Sequence, residues 1–298
     1  MKLVIYNGNS INPGDVSWKG IEDLAEVIIY PDTKDEERIE RAKGCDGILT
    51  DGTGVDRKVM ENCPDLKFIL KLATGYNNID LDAAKEFGIR VFNIPGYSTK
   101  AVAQHAMALM LEIACNLPEN HKRISVWDKP ERFNYAPSFL LDGKSLGIIG
   151  YGNIGKETAR LAEAFGMKIN IYSQDKEACI KSDIVSIHCP ATEENYHMVD
   201  EAFISRMKDG AVIINTARGQ LIDDKALAAA LKSGKIAAAG LDVLENEPVT
   251  ESILYGLPNC NITPHIAFTP RDTRQHLIDL AAKTIKGYIN GKEINRII

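Results

Sequence analysis

Short apolar runs alternate with longer charged segments along the whole chain. In the first third, Leu3–Tyr6, Val27–Tyr30, Gly47–Thr50, Phe68–Ala73 and Val91–Ile94 are strand-length and mostly apolar, the pattern of strands buried on both faces. Helix-prone segments lie between them, notably Asp35–Lys43, Asp56–Asn62 and Asp80–Phe87. The rhythm returns later as Leu146–Ile149, Met167–Tyr172, Ile184–Cys189, Ala211–Thr216, Ala238–Val243 and Cys260–Thr263. Helical patterns again fall between the runs, at Asn153–Phe165, Asp200–Met207 and Asp223–Leu231. This βαβα alternation predicts α/β architecture: doubly wound parallel sheets with helices on both faces. No solenoid period is visible.

The breaker-rich stretch Ile94–Thr99 predicts a domain boundary. Ser98 or Thr99 can cap the helix that follows, Ala101–Cys115, which is apolar almost all round. Such a helix is expected to be buried, between domains or subunits. His105 within it reads as a packed or surface histidine rather than a ligand. Residues 118–142 read as an irregular connection, and Arg271–Tyr288 as an amphipathic helix able to return to the first domain. The predicted division is residues 1–97 plus 271–298, and residues 98–270.

One stretch carries a specific signal. Gly150, Gly152 and Gly155 stand in G-x-G-x-x-G spacing between an apolar run and an amphipathic segment, inside a βαβ unit. That is the context a dinucleotide-binding turn requires. Gly150 permits the tight turn, Gly152 lets backbone approach a pyrophosphate, and Gly155 lets the helix pack on the strand. Gly150–Lys156 also approximates a P-loop, but Glu157 stands where that motif needs a hydroxyl for magnesium.

Composition narrows the classes. A chain of 298 residues predicts two domains. A net charge of −6 without a basic run gives no support for nucleic-acid or membrane-surface partners. No signal peptide or membrane-length apolar run is seen, and six scattered cysteines suit a reducing cytoplasm. No metal site is expected.

Three polar residues follow three successive strands of the second half: Arg218 in NTARG, Glu247 in LDVLENEP and His265 in TPHIA. If the sheet is parallel, all three leave the edge that also carries the glycine turn, where open α/β sheets bind ligands. An arginine fork grips a carboxylate and polarises a neighbouring carbonyl. A histidine protonates the alkoxide formed by hydride delivery, and a glutamate orients that histidine and favours its charged form. Together they suit reduction of a 2-oxo acid. The polar loop Thr74–Asn78, after another strand, is a further ligand-edge candidate.

The chain resembles the D-isomer-specific 2-hydroxyacid dehydrogenases, in TGYNNIDLDAAKEFGIRVFNIPGYST, LGIIGYGNIG, INTARGQLID, GLDVLENEP and TPHIA. The resemblance implies a flavodoxin-like substrate domain, a Rossmann domain and a homodimer around the long helix. It implies Arg218 for substrate binding, Glu247 as partner of the imidazole, His265 as acid/base, and the amides of Thr74 and Gly75 for the substrate carboxylate. On the cofactor side it implies Asn153, Ile154, Cys189, Pro190, Asn195, Thr216, Ala217 and Asp242, besides the glycines. GYST followed by VAQ resembles glycerate dehydrogenases (hydroxypyruvate reductases) most, with glyoxylate also favoured. D-lactate- or phosphoglycerate-type dehydrogenases and a corepressor-like dinucleotide sensor are the alternatives. A formate dehydrogenase would have no use for Glu247.

The cofactor is NAD or NADP. Many NAD-dependent members carry an acid after the second strand to hold ribose hydroxyls, and this chain has Ser173, with Lys176 three residues on. The expectation is that NADPH is accepted and modestly preferred, with NADH still usable.

Overall fold

Every predicted run of the first third is a strand, with ends displaced by at most two residues: β1 (Lys2–Ile5), β2 (Glu26–Ile29), β3 (Gly47–Thr50), β4 (Phe68–Lys71) and β5 (Arg90–Phe92). In the computed structural model, which describes all 298 residues, they pair in parallel in the order β2-β1-β3-β4-β5. Alternate residues face opposite layers, as strand geometry requires. Val4, Ile48, Ile69 and Val91 meet helices through Val59, Met60, Ala83 and Ala84. Leu3, Ile5, Leu49, Phe68, Leu70 and Phe92 face the other way, toward Ile11, Trp18 and Ile21. Leu277, Ile278, Ala281 and Ile285 of the carboxyl-terminal helix, Arg271–Ile289, complete that layer. Arg274, only 7% exposed, fastens this helix by two bonds to the Asp15 carboxylate, at 2.7 and 2.6 Å, and one to the Ile11 carbonyl. The chain divides into this unit, Met1–Ser98 with Phe268–Ile298, and a second one, Thr99–Ala267.

In the second unit β6 (Ser145–Ile149), β7 (Lys168–Ile171), β8 (Ile184–Ile187), β9 (Ala211–Asn215), β10 (Ile236–Leu241) and β11 (Cys260–Ile262) form a parallel sheet ordered β11-β10-β9-β8-β6-β7. One face packs on Phe203, Ile204, Leu227 and Leu231 of the Glu201–Arg206 and Asp224–Ser233 helices. The other packs on the Asn153–Ala164 helix and on the long helix, which starts at Thr99, two residues earlier than expected, and ends at Cys115. The long helix buries Ala106, Met107, Leu109, Met110 and Ala114 against Leu146, Ile148, Val212 and Ile214 of its own unit.

One feature corrects the sequence reading and another goes beyond it. Residues 118–142 are not wholly irregular, because Leu117–Lys122 is a helix and Arg123–Val126 and Pro130–Phe133 are 3₁₀ turns. The dinucleotide unit also lacks a strand beyond β7, where the common 3-2-1-4-5-6 order has one. Only residues 172–183 join β7 to β8, and one parallel crossover consumes about a dozen residues. A single short helix, Lys176–Ile180, fills the connection, and β7 is left as the edge. No helix is long and apolar enough to cross a membrane.

Candidate active site

β6 ends in the glycine turn. Gly150 has φ +95°, and a Cβ there would lie 2.5 Å from the Cys189 amide nitrogen, so the turn is folded tightly against the end of β8. A Cβ on Gly155 would sit 2.1 Å from the Gly150 carbonyl oxygen. That closeness brings the start of the Asn153–Ala164 helix onto the turn, with Asn153 exposed and Ile154 half-buried. Above Gly152 the space is open, with nothing within 4 Å of a Cβ position. A close-packed floor under an open face, at the amino end of a helix, is a cradle for an anionic group.

The neighbouring loops crowd the same edge. Asn195 braces the turn after β8, taking the Thr192 N–H at 2.7 Å and donating to the Pro190 carbonyl at 2.9 Å. His188, beside Cys189, pairs Nε2 with Ser186 Oγ at 2.9 Å, and burial pulls its pKa down to about 4. Burial pushes the Cys189 thiol the other way, upward. Asn215, at the end of β9, accepts from Ala217 N–H at 3.0 Å and donates to the Arg218 carbonyl at 2.9 Å. These bonds fix the turn that presents Thr216, Ala217 and Arg218. Two buried atoms near this edge, Thr216 Oγ1 and His188 Nδ1, have no partner within the chain. The open face and these unpaired atoms fit a polar ligand laid across β6, β8 and β9. Ser173 and Lys176 are exposed just past β7, and the Lys176 ammonium stands 5.3 Å over the Tyr172 ring.

The Glu247 and His265 side chains meet, and the Arg218 charge acts on the imidazole. His265 Nδ1 lies 2.6 Å from Glu247 Oε2, while Glu247 Oε1 accepts the Leu244 N–H at 2.8 Å. The imidazole pKa is raised, mainly by the Glu247 hydrogen bond. Burial opposes that rise, the Glu247 and Asp242 charges add to it, and the Arg218 guanidinium works against it. Arg218 is thus near enough for the ring to feel its charge. Arg218 Nη1 donates to its own Ala217 carbonyl at 2.6 Å.

Several residues that frame these three were missed in the sequence. A Cβ on Gly219 would fall 1.9 Å from the Leu244 carbonyl carbon, so the arginine turn and the glutamate loop are in direct contact. Gln220 donates to the Glu245 carbonyl at 2.9 Å. Glu245 in turn accepts from Tyr196 and lies 2.9 Å from His197 Nε2. Asp242, only 1% exposed, accepts the N–H of Ile266, the residue after His265, at 2.8 Å. Thr74 and Gly75 belong to the other unit. There Asn93 donates to the Thr74 carbonyl at 2.7 Å, and Thr74 Oγ1 to the Ile94 carbonyl at 3.2 Å, holding the loop after β4.

Residues 107–267 match the family model described as D-isomer specific 2-hydroxyacid dehydrogenase, NAD binding domain. A hydroxypyruvate reductase of Blautia hydrogenotrophica is 40% identical over 99% of both chains. A glyoxylate reductase of Thermococcus litoralis is 39% identical, over 92% of this chain and 90% of its own. Among solved structures, an acyclic imino acid reductase in complex with NADPH and D-Arg superposes with a TM-score of 0.88 over the whole of both chains, at 29% identity.

Proposed function

Because the chain belongs to the D-isomer-specific 2-hydroxyacid dehydrogenase family, we propose that Arg218, Glu247 and His265 are its catalytic set and hydroxypyruvate or glyoxylate its substrate. It is an oxidoreductase that interconverts a 2-oxo acid and the D-2-hydroxy acid with a nicotinamide dinucleotide. The observation that carries the assignment is the 2.6 Å His265–Glu247 pair with Arg218 close by, at the carboxyl ends of three successive strands.

The Asn153–Ala164 helix and the Gly150–Gly155 turn would hold the pyrophosphate, with Asn153 and Ile154 supplying its amides. Cys189, Pro190 and Asn195 would wall the cofactor, Thr216 and Ala217 would line it, and Asp242 Oδ2 keeps lone-pair capacity beyond the Ala267 N–H. When bound, the cofactor supplies or takes up the hydride. Arg218 would bind the substrate carboxylate and polarise the 2-oxo group. His265 would give its proton to the developing alkoxide, and Glu247, across the ring, stabilises the charged imidazole before transfer. The amides of Thr74 and Gly75 are proposed as donors to the substrate carboxylate.

Ser173 presents a hydroxyl where an acid would repel a 2′-phosphate, and Lys176 adds a cation nearby. Asp175 is engaged at the start of the next helix, taking the Ala178 N–H at 2.9 Å. A modest NADP preference follows, with NAD still used. A homodimer is the proposed assembly. Its support is the apolar arm after the long helix, where Trp127, Tyr135 and Leu140 are 72, 74 and 78% exposed. A reducing cytoplasm suits the scattered cysteines.

Steady-state kinetics with hydroxypyruvate, glyoxylate, pyruvate and 3-phosphohydroxypyruvate, each with NADH and NADPH, tests this reading. The expected result is the highest kcat/KM on hydroxypyruvate or glyoxylate. Tight dinucleotide binding without turnover of any of the four would overturn it in favour of a dinucleotide sensor.

A further inference from the structure

His105 is a polar residue on a helix whose neighbouring positions, Val102, Ala103, Ala106, Met107 and Leu109, are buried and apolar. Its side chain is 19% exposed, and Nε2 lies 2.9 Å from Thr263 Oγ1 and 3.3 Å from Asp242 Oδ1. The proton count fixes the direction of these bonds. Thr263 Oγ1 has one proton and gives it to Asp242 Oδ1 at 2.6 Å, so toward His105 it can only accept. His105 therefore donates through Nε2.

Asp242 is the hub. Burial alone would raise its pKa, but the bonds from His105, Thr263, Ile266 and Ala267 together hold its carboxyl below the usual range. Oδ1 takes the Ile266 N–H at 2.8 Å and Oδ2 the Ala267 N–H at 2.9 Å. The Asp242 carbonyl takes the His265 N–H, also at 2.8 Å. Three consecutive amides, of residues 265 to 267, thus hang on one aspartate. The need for this is local: His265 has φ +54°, a left-handed conformation that is strained for a non-glycine residue unless its surroundings impose it.

We propose that His105 is a positioning residue for the acid/base imidazole of His265, acting through Thr263 and Asp242. The inference rests on His265 being the acid/base group. His105 touches neither the ring nor Glu247 in the bonds described. It anchors the far side of the hub that holds the His265 backbone in the conformation from which Nδ1 reaches Glu247. The charges that act on the His265 ring are Glu247, Asp242 and Arg218, so a shift of the segment changes how firmly Glu247 holds the ring's proton.

The test uses the full chain with His105→Leu, His105→Gln and Thr263→Val. His105→Leu should lower kcat for hydroxypyruvate reduction about tenfold with KM within about twofold, because transition-state geometry is lost rather than uniform binding. The fall of reductive activity with rising pH should begin at lower pH. NMR titration of the His265 ring should show its pKa lowered by about half a pH unit or more, a readout independent of turnover. His105→Gln, whose amide N–H can reach Thr263 Oγ1, should recover most of both effects. Thr263→Val should reproduce them, and if His105→Leu fails to fold this variant carries the test. A folded His105→Leu or Thr263→Val protein with the wild-type His265 titration would overturn the proposal. So would a His105→Gln variant as impaired as His105→Leu. Loss of the acid/base reading itself would show differently, as a His265→Gln enzyme that still turns over normally.

Discussion

His265 owes its raised pKa first to the Glu247 hydrogen bond, and that fixes the sign of its pH dependence. Reduction needs the protonated ring, so the reductive rate should be highest below the raised pKa and fall as pH climbs through it. Oxidation needs the neutral ring and should show the opposite limb. Glu247→Gln removes the favourable charge, so the reductive profile should move acidward, and an unchanged pH–rate profile would take Glu247 out of the mechanism. His265→Gln should cut kcat at least about a hundredfold. Arg218→Lys keeps the charge and loses the fork, and a fall in kcat/KM of less than about threefold would exclude the anchoring role. At the cofactor end, Ser173→Asp should swing the kcat/KM ratio toward NADH. A wild-type preference for NADH above about tenfold, roughly 1.4 kcal/mol, would show that the serine binds ribose directly.

Strands and longer helices were readable because each rests on local chemistry. Asp56, Asp80, Asp200 and Asp223 each accept backbone N–H bonds from the turn they precede, which marks helix starts one residue after the aspartate. The single turn Gly8–Ile11 was not readable, because contacts from outside it hold it in place: Gly8 N–H donates to the Tyr30 carbonyl. The absence of a strand after β7 is legible, because no apolar run lies between Met167–Tyr172 and Ile184–Cys189. The candidate site divides the same way. Arg218, Glu247 and His265 announce themselves at strand exits, whereas His105 meets Thr263 across 158 residues and no pattern of spacing predicts that. Asp183 shows an element junction of this hidden kind. Burial would raise its pKa, yet Lys208 at 2.6 Å and the Ser145 N–H and hydroxyl at 2.9 and 2.8 Å together lower it. A carboxylate with a depressed folded pKa stabilises above its unfolded value, and that stability drains away as pH falls toward the folded one. Asp183→Asn should therefore cost about 1–3 kcal/mol in urea unfolding at neutral pH and progressively less in acid. Equal stability of the two proteins at pH 7 would refute the junction.

As a whole molecule the chain carries two surfaces open to another copy, an exposed apolar arm and an unpaired sheet edge. The arm with Trp127, Phe133 and Tyr135, the last two rings 6.4 Å apart, should be covered in solution, so sedimentation should give about twice the 32.8 kDa chain mass. Trp127→Ser combined with Tyr135→Ser should lower that mass, and a wild-type sedimenting as one chain would remove the dimer. The second surface is the bare side of β7. A sheet edge offers a row of unpaired amides and carbonyls to any strand that fits, including its own copy in another molecule. β11 at the opposite border is only three residues long and makes a poor template. β7 reads KINI: exposed Lys168 keeps a charge on the border, and Asn170 turns inward to the Ala178 carbonyl and Ser182 Oγ at 3.2 and 3.0 Å. At this unpaired border Lys168 is expected to act as a gatekeeper against fibres, and Lys168→Val should leave kcat untouched while hastening thioflavin-positive aggregation on warming.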